Sequence, residues 1–419
     1  MAGWGLDFGT TNSALARSDG GPARLATYGG QPTFRSILFF DPEERDGTGY
    51  PIPFTGPEAL EHYLDVGSEG RLMQSIKSHL ASRSLVGTSV FGRRVTIEDL
   101  VAKIVRDLVA AAAGDLGSID GPVVVGRPVR YVGSKSEADD AWAEGRTRKA
   151  LALAGLTDVR FVPEPVAAAW HYEQRLDSDE TLLIADFGGG TTDYCLMNAG
   201  PSHRGRGTAR ILGTGGVGLA GDRFDGRILE RRVAPLMGQG SLYRTPFGRD
   251  LEVPVRYFRQ LVRWHRLSML ATPKNLRDLD GYLRASHEPE KLERFIHLVR
   301  DNLGFALAQA VEGTKVALSS ELTTALRYED DPVDLNEIIA RTEFEAWIAD
   351  DLAELDVALG ATLANAGVDS VDRVFLTGGT AFVPAVRALF ERRFGAERVT
   401  AGDHLTSVAS GLALIAAQG

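Results

Sequence analysis

Two copies of one short pattern constrain this chain more than any other feature. The first is Leu6-Asp7-Phe8-Gly9-Thr10-Thr11-Asn12-Ser13. The second is Ile184-Ala185-Asp186-Phe187-Gly188-Gly189-Gly190-Thr191-Thr192-Asp193-Tyr194. In each, an apolar run delivers an aspartate into a glycine turn, and hydroxyl side chains come next. A strand feeding such a turn can bring backbone N–H groups against an anion, because no Cβ blocks the approach. The threonines add hydroxyl donors, and the aspartate adds a hard oxygen suited to Mg²⁺ with its water shell. One copy alone also reads as a β-turn of small residues. Two copies, each behind an apolar run, predict an internal duplication. Two similar lobes would face each other across a cleft, with one phosphate turn from each.

The residues after the first turn narrow the class. Ser13-Ala14-Leu15-Ala16 reads as a returning strand, so residues 3–18 form a hairpin. A P-loop or dinucleotide turn would enter a helix at this point. Neither G-x-x-x-x-G-K-[ST] nor G-x-S-x-G occurs. Gly213-Thr214-Gly215-Gly216-Val217-Gly218 does spell G-x-G-x-x-G after a strand-like run at 209–212. The chain beyond it runs through 223–233 to Pro235 and an irregular region, not to a parallel strand ending in an acid, which argues against a dinucleotide site.

Between the two turns, residues 37–40 read as a strand, 41–57 as loop, and 57–64 as a short helix opening on Pro57. Lys77 stands among apolar residues in 71–80. On its own it reads as a surface helix lysine. Thr96 can cap a helix over 97–113 with Leu100, Ile104, Leu108 and Ala111 on its apolar side. Val123-Val124-Val125 is a buried strand, 138–154 a helix and 159–162 a short strand. Glu164 lies between Pro163 and Pro165 at the head of a further helix. It is either a partner for the helix dipole or a stiffly aimed carboxylate.

Beyond the second turn come a polar hairpin at 198–207 and a region at 231–290 rich in arginine and aromatics, including Tyr257, Phe258, Trp264 and His265, that reads as an inserted helical subdomain. Helix is expected over 291–318, a strand at 325–328 and one long amphipathic helix over 342–366. Val374-Phe375-Leu376-Thr377-Gly378-Gly379-Thr380 is a third apolar strand running into glycines. Two last helices start at Pro384 and at Ser407.

The chain has 419 residues, enough for two or three domains. Its net charge of −10 argues against a nucleic-acid binder dominated by phosphate contacts. The run of Arg256, Arg259, Arg263, Arg266, Arg277 and Arg284 reads as a solvated helix face. With Cys195 as the one cysteine no intrachain disulfide forms, and that residue reads as a small buried core side chain. The eight histidines are scattered, with no pair at metal-ligand spacing. No basic segment followed by an apolar stretch opens the chain and no run reaches a membrane span, so a cytoplasmic location is expected, with no membrane partner.

The order of these motifs resembles the ATPase domain of the DnaK-type heat-shock (Hsp70) chaperones, within the actin and sugar-kinase superfamily. Besides the two turns it rests on Glu164-Pro165-Val166-Ala167-Ala168-Ala169, Leu219-Ala220-Gly221-Asp222-Arg223-Phe224-Asp225, Glu312-x-x-Lys315-x-x-Leu318-Ser319 and Leu376-Thr377-Gly378-Gly379. The arginine- and tryptophan-rich insert and the lack of a tail resemble the YegD-type subgroup. The resemblance implies an α/β, actin-like ATPase fold: two ribonuclease-H-like lobes around a nucleotide cleft. Lobe I would span 1–185 with an insert at about 36–115, and lobe II 186–419 with a helical insert at about 226–311.

The resemblance also implies roles. ATP/ADP and Mg²⁺ would be the ligands. Gly9, Thr10, Thr11, Asn12 and the amides of Gly188, Gly189 and Gly190 would hold the β- and γ-phosphates. Asp7 and Asp186 would hold Mg²⁺ through its waters, with Glu164 helping, and Lys77 would neutralise charge on the γ-phosphate. Thr191 and Asp193 would lie near the attacking water. Gly221 belongs to the nucleotide-binding set. Glu312 and Lys315 would contact the ribose and Ser319 the adenine, with Gly378 and Gly379 beneath it. The resemblance is broken where the family has arginines near the adenine: Val316 and Phe382 stand there, implying a more apolar face to the base pocket. No acidic-leucine linker or peptide-binding domain precedes the end at Gly419, so any protein client or nucleotide-exchange partner would meet the ATPase surface itself.

These motifs admit three readings. The leading one is a slow Mg²⁺-dependent ATPase acting as a conformational switch. A small-molecule kinase of the same superfamily would need a general-base aspartate, and only Asp193 offers itself. A non-enzymatic binding or filament module related to actin is the third.

Overall fold

The first hairpin forms as expected, β1 (Gly3–Phe8) returning as β2 (Asn12–Ser18). With β3 (Arg24–Leu25), β4 (Val123–Arg127) and β5 (Val159–Pro163) it builds a sheet of order β5-β4-β1-β2-β3, where a short strand at Phe34–Arg35 also pairs with β2. The second hairpin is β6 (Glu180–Phe187) and β7 (Thr192–Ala199). With β8 (Ile211–Val217), β9 (Arg373–Thr377) and β10 (Val399–Ala401) it builds a sheet of order β10-β9-β6-β7-β8. The senses match strand for strand. β4 runs parallel to β1 as β9 does to β6, β5 parallel to β4 as β10 does to β9, and the remaining neighbours are antiparallel. The sequence duplication is therefore a duplication of sheets, and the mixed α/β architecture is that of an actin-like ATPase.

This computed structural model describes residues 2–66, 70–204, 210–264, 267, 270–401 and 406–418. Its contacts divide the chain into two units: residues 1–221 with 352–419, and residues 222–351. Both of these sheets lie in the first unit.

Apolar patterning explains how helices cover these sheets. α1 (Ile97–Leu116) opens on a capping box between Thr96 and Asp99 and buries Leu100, Ile104 and Leu108. Ala112, not Ala111, continues that buried face, one step of helical phase away from the expectation. α1 packs against α2 (Glu137–Leu153), and both join the buried cluster with Trp4, Leu6 and Val125 of the first sheet. α3 (Glu164–Glu173) packs on β6 and β7, and α4 (Ser407–Gln418) on β1, β2 and β4. The two helices also pack on each other, joining the sheets through one core of Val166, Trp170, Ile184, Cys195, Val408 and Leu412. Their approach demands small side chains: a Cβ on Gly411 would lie 1.7 Å from the Ala167 carbonyl oxygen.

Several elements differ from the sequence reading. Residues 41–57 are not all loop: strands Leu38–Arg45 and Pro51–Thr55 pair, with Pro51 and Pro53 on an edge strand where a missing N–H is tolerated. The region 231–290 includes a hairpin, Leu242–Arg244 with Asp250–Glu252, beside helices Phe258–Val262 and Pro273–Ala285. The helix expected over 291–318 is two, Pro289–Arg300 and Gly304–Ser320, parted where Asn302 takes a φ of 52°. The strand at 325–328 extends over Thr323–Asp330 and pairs with Val333–Ala340, whose alternating Val333, Leu335 and Ile339 are buried. The helix expected over 342–366 breaks at Ile348 into Arg341–Trp347 and Ala349–Ala366.

β8 pairs antiparallel with β7, so the glycine fingerprint is not part of a parallel βαβ unit. Arg256, Arg259, Arg263, Arg277 and Arg284 are exposed, as a solvated face requires. Arg266, His265 and residues 205–209 of the expected polar hairpin lie outside the described residues. Cys195 is buried, and burial pushes its thiol up to about 12. Among the described residues no helix is long and apolar enough to cross a membrane.

Candidate active site

Sheet register places the acids. Asp7 pairs across its hairpin with Ala14, and Asp186 across its own with Asp193. Each aspartate is the penultimate residue of its strand, at equivalent points of the two sheets. The second hairpin thus carries an extra carboxylate where the first carries a methyl group. The turns close differently. Gly9 N–H donates to Ser13 Oγ at 3.2 Å, whereas Gly188 N–H donates to the Thr191 carbonyl at 2.9 Å.

Lys77 is not a surface lysine. It lies buried on the 3₁₀ turn Ile76–His79, preceded by Ser75 at a φ of 52°. Its Nζ donates to Glu164 Oε1 at 2.6 Å, from the first residue of α3. The prolines either side of Glu164 fix the backbone that aims this carboxylate. Burial disfavours the Lys77 ammonium, but Glu164 and Asp7 outweigh it and hold the group above the ordinary lysine range.

One ammonium serves several acids. Withdrawal from water, then the charge of Glu164, pushes Asp7 up to about 8, with Lys77 opposing and Asp186 adding to the rise. Burial and Glu164 push Asp186 up to about 7, against a 3.0 Å hydrogen bond from Thr377 and the charge of Lys77. Asp193 is raised well above the carboxylate range by burial, then by Glu164 and Asp186. The Thr191 hydroxyl and the Val129 N–H, at 2.8 Å from Asp193 Oδ1, oppose this. Crowded together, these carboxyls raise one another's proton affinity, and a bound cation would take the place of their protons.

The residues fit the implied ligands. Gly9 and Gly190 keep the turns open, for a Cβ would lie 2.0 Å from the Asn12 carbonyl oxygen at the first and 2.8 Å from Val132 Cγ2 at the second. Gly378 follows β9 at a φ of 85°, with a Cβ there only 1.9 Å from the Phe187 carbonyl oxygen, so only glycine suits it. Among the described residues no three His, Cys, Asp or Glu side chains are placed to hold a metal directly. A hydrated Mg²⁺ needs only one or two carboxylates, and Asp7 and Asp186 would be the ones to supply them.

The first unit therefore brings together Asp7, Lys77, Glu164, Asp186 and Asp193 with the turn residues Thr10, Thr11, Asn12, Gly188, Gly189, Gly190 and Thr191. Gly378 and Gly379 stand directly after β9. In the second unit, Glu312, Lys315 and Ser319 share one face of the helix Gly304–Ser320. Lys315 Nζ lies 2.8 Å from Asp225 Oδ2; burial disfavours the ammonium, but the charge and hydrogen bond of Asp225, with Glu312 and Asp222, outweigh it and leave the lysine raised. Asp225 Oδ1 is buried without a hydrogen-bond partner among the described residues. Gly221 opens the helix Gly221–Ile228 that carries Asp225. Val316 and Phe382 are exposed. The sequence reading assigned no role to Thr377 or Asp225, although both fall in the quoted motifs. Nothing in sequence singled out the Val129 amide, which acts through its backbone.

The family model of the Hsp70 protein matches residues 68–238 and 292–418. The gap from 239 to 291 takes in the Leu242–Glu252 hairpin and most of the arginine-rich region. With more than half of its length matched and its duplicated sheets carrying the two glycine turns, this chain belongs to the Hsp70 family, whose members bind ATP.

Proposed function

We propose that this protein is a slow Mg²⁺-dependent ATPase that alternates between ATP- and ADP-bound conformations, a chaperone-like or regulatory switch. The observation that carries the reading is the buried Lys77–Glu164 pair among Asp7, Asp186 and Asp193, next to two matching phosphate turns. Bound Mg²⁺ would supply charge neutralisation of the phosphates, held through its waters by Asp7 and Asp186. The turn amides and hydroxyls would bind and orient the β- and γ-phosphates. Lys77 would stabilise charge spreading over the terminal oxygens, with Glu164 fixing its position. Asp193, oriented by Val129 N–H and Thr191, would accept a proton from the attacking water. Glu312, Lys315 and Ser319 would hold ribose and base. Such chemistry is positioning and charge stabilisation of a loose phosphoryl transition state.

Calorimetric titration with Mg-ATP, and single-turnover phosphate release, test this in wild type, Asp186→Ala and Lys77→Ala. Tight binding with slow release that both variants lose supports the switch. A wild-type protein that binds no nucleotide overturns it.

A further inference from the structure

Ser78 follows Lys77 on the same 3₁₀ turn, and none of the motifs above includes it. Its amide is anchored by a 3.0 Å bond to the Ser75 carbonyl. Its hydroxyl has no hydrogen-bond partner among the described residues and is partly open. A methyl group built on Gly190 would lie 3.6 Å from Ser78 Oγ and 3.9 Å from Thr10 Oγ1. The Ser78 and Thr10 hydroxyls, from different segments, thus look onto the small space before Gly190 that its missing side chain leaves open. Val132 closes another side of that space. A hydroxyl without a partner among the described residues, one residue after the buried Lys77 and against a glycine turn, is a donor waiting for an anionic oxygen.

We propose that Ser78 is a binding residue for the terminal phosphate, donating its hydroxyl to a γ-phosphoryl oxygen and so separating ATP from ADP. This rests on the ATP reading of the site. Thr10 and Ser78 then grip the terminal group from two sides, while Lys77 neutralises it.

Calorimetry of wild type, Ser78→Ala and Ser78→Thr with Mg-ATP and with Mg-ADP tests the proposal. Ser78→Ala is expected to bind Mg-ATP about tenfold more weakly and Mg-ADP unchanged, since a hydrogen bond to a charged oxygen is lost for one ligand only. Ser78→Thr keeps the hydroxyl and should retain most of the preference. Equal weakening toward both nucleotides, or no weakening, overturns the assignment while wild-type binding leaves the ATP reading standing. A wild type silent toward both nucleotides overturns the two together.

Discussion

Lys77 Nζ lies 2.6 Å from Glu164 Oε1, joining a 3₁₀ turn to the first residue of a helix 87 positions later. Both side chains are buried, and Glu164 raises the carboxyls of Asp7, Asp186 and Asp193. The lysine opposes that rise at Asp7 and Asp186. Lys77→Met leaves Glu164 as a buried, uncompensated carboxylate, at a cost of about 3 kcal/mol. Lys77→Met with Glu164→Gln should regain much of that loss, because the orphaned charge goes too. Denaturant unfolding of both single variants and the double variant measures the coupling; additive losses would refute it.

Asp193 has Ala14 as its counterpart in the first hairpin, so the duplicated framework has one acid more on the second side. This acid accepts from the Thr191 hydroxyl and the Val129 N–H, and on the proposed reading it takes the proton of the attacking water. Asp193→Asn should keep Mg-ATP affinity within about threefold and slow single-turnover phosphate release about 100-fold. A loss of affinity with an unchanged release rate would place Asp193 in binding instead.

Gly411 on α4 meets the Ala167 carbonyl on α3 too closely for any side chain. Gly411→Ala forces the helices that join the two sheets apart and should cost about 3 kcal/mol, the upper range for overpacking. Gly114 on α1 is the control. A Cβ there meets nothing within 4 Å, and Gly114→Ala should stabilise by about 0.5–1 kcal/mol. Thermal unfolding of both variants reads the contrast.

The duplicated hairpins were legible because glycine, aspartate and threonine carry their chemistry in local order. Thr96 and the helix-opening prolines Pro57 and Pro384 are equally local signals. Lys77 was not legible by itself: its flanks suit a surface helix, and only Glu164, far along the chain, makes its burial tolerable. Residues 41–57 hid a strand pair because proline suppresses strand propensity without forbidding an edge position. Val333–Ala340 was hidden because Glu337 falls on its inner face and Ile338 on its open face, which breaks the apolar period. Ser78 has no sequence signal, since a lone serine gains meaning only from the space it faces.

Asp222, in the second unit, offers a pH test of its own. Burial, then the charge of Asp225, pushes its carboxyl from 3.8 to about 6, with Lys315 opposing and Glu312 adding. Between those values the folded protein holds a proton that the unfolded chain has released. Stability contributed by this group is therefore greatest below pH 4 and is lost as pH rises toward 6. Asp222→Asn removes the titration. Its melting temperature should vary less with pH across that window than that of wild type, and should exceed wild type at pH 7, where the ionised carboxylate faces Asp225. Lys315→Met should act in the opposite sense at pH 7, lowering the melting temperature by leaving Asp222 and Asp225 without their shared cation. Parallel wild-type and Asp222→Asn curves from pH 4 to 7 would show that Asp222 ionises normally in the fold.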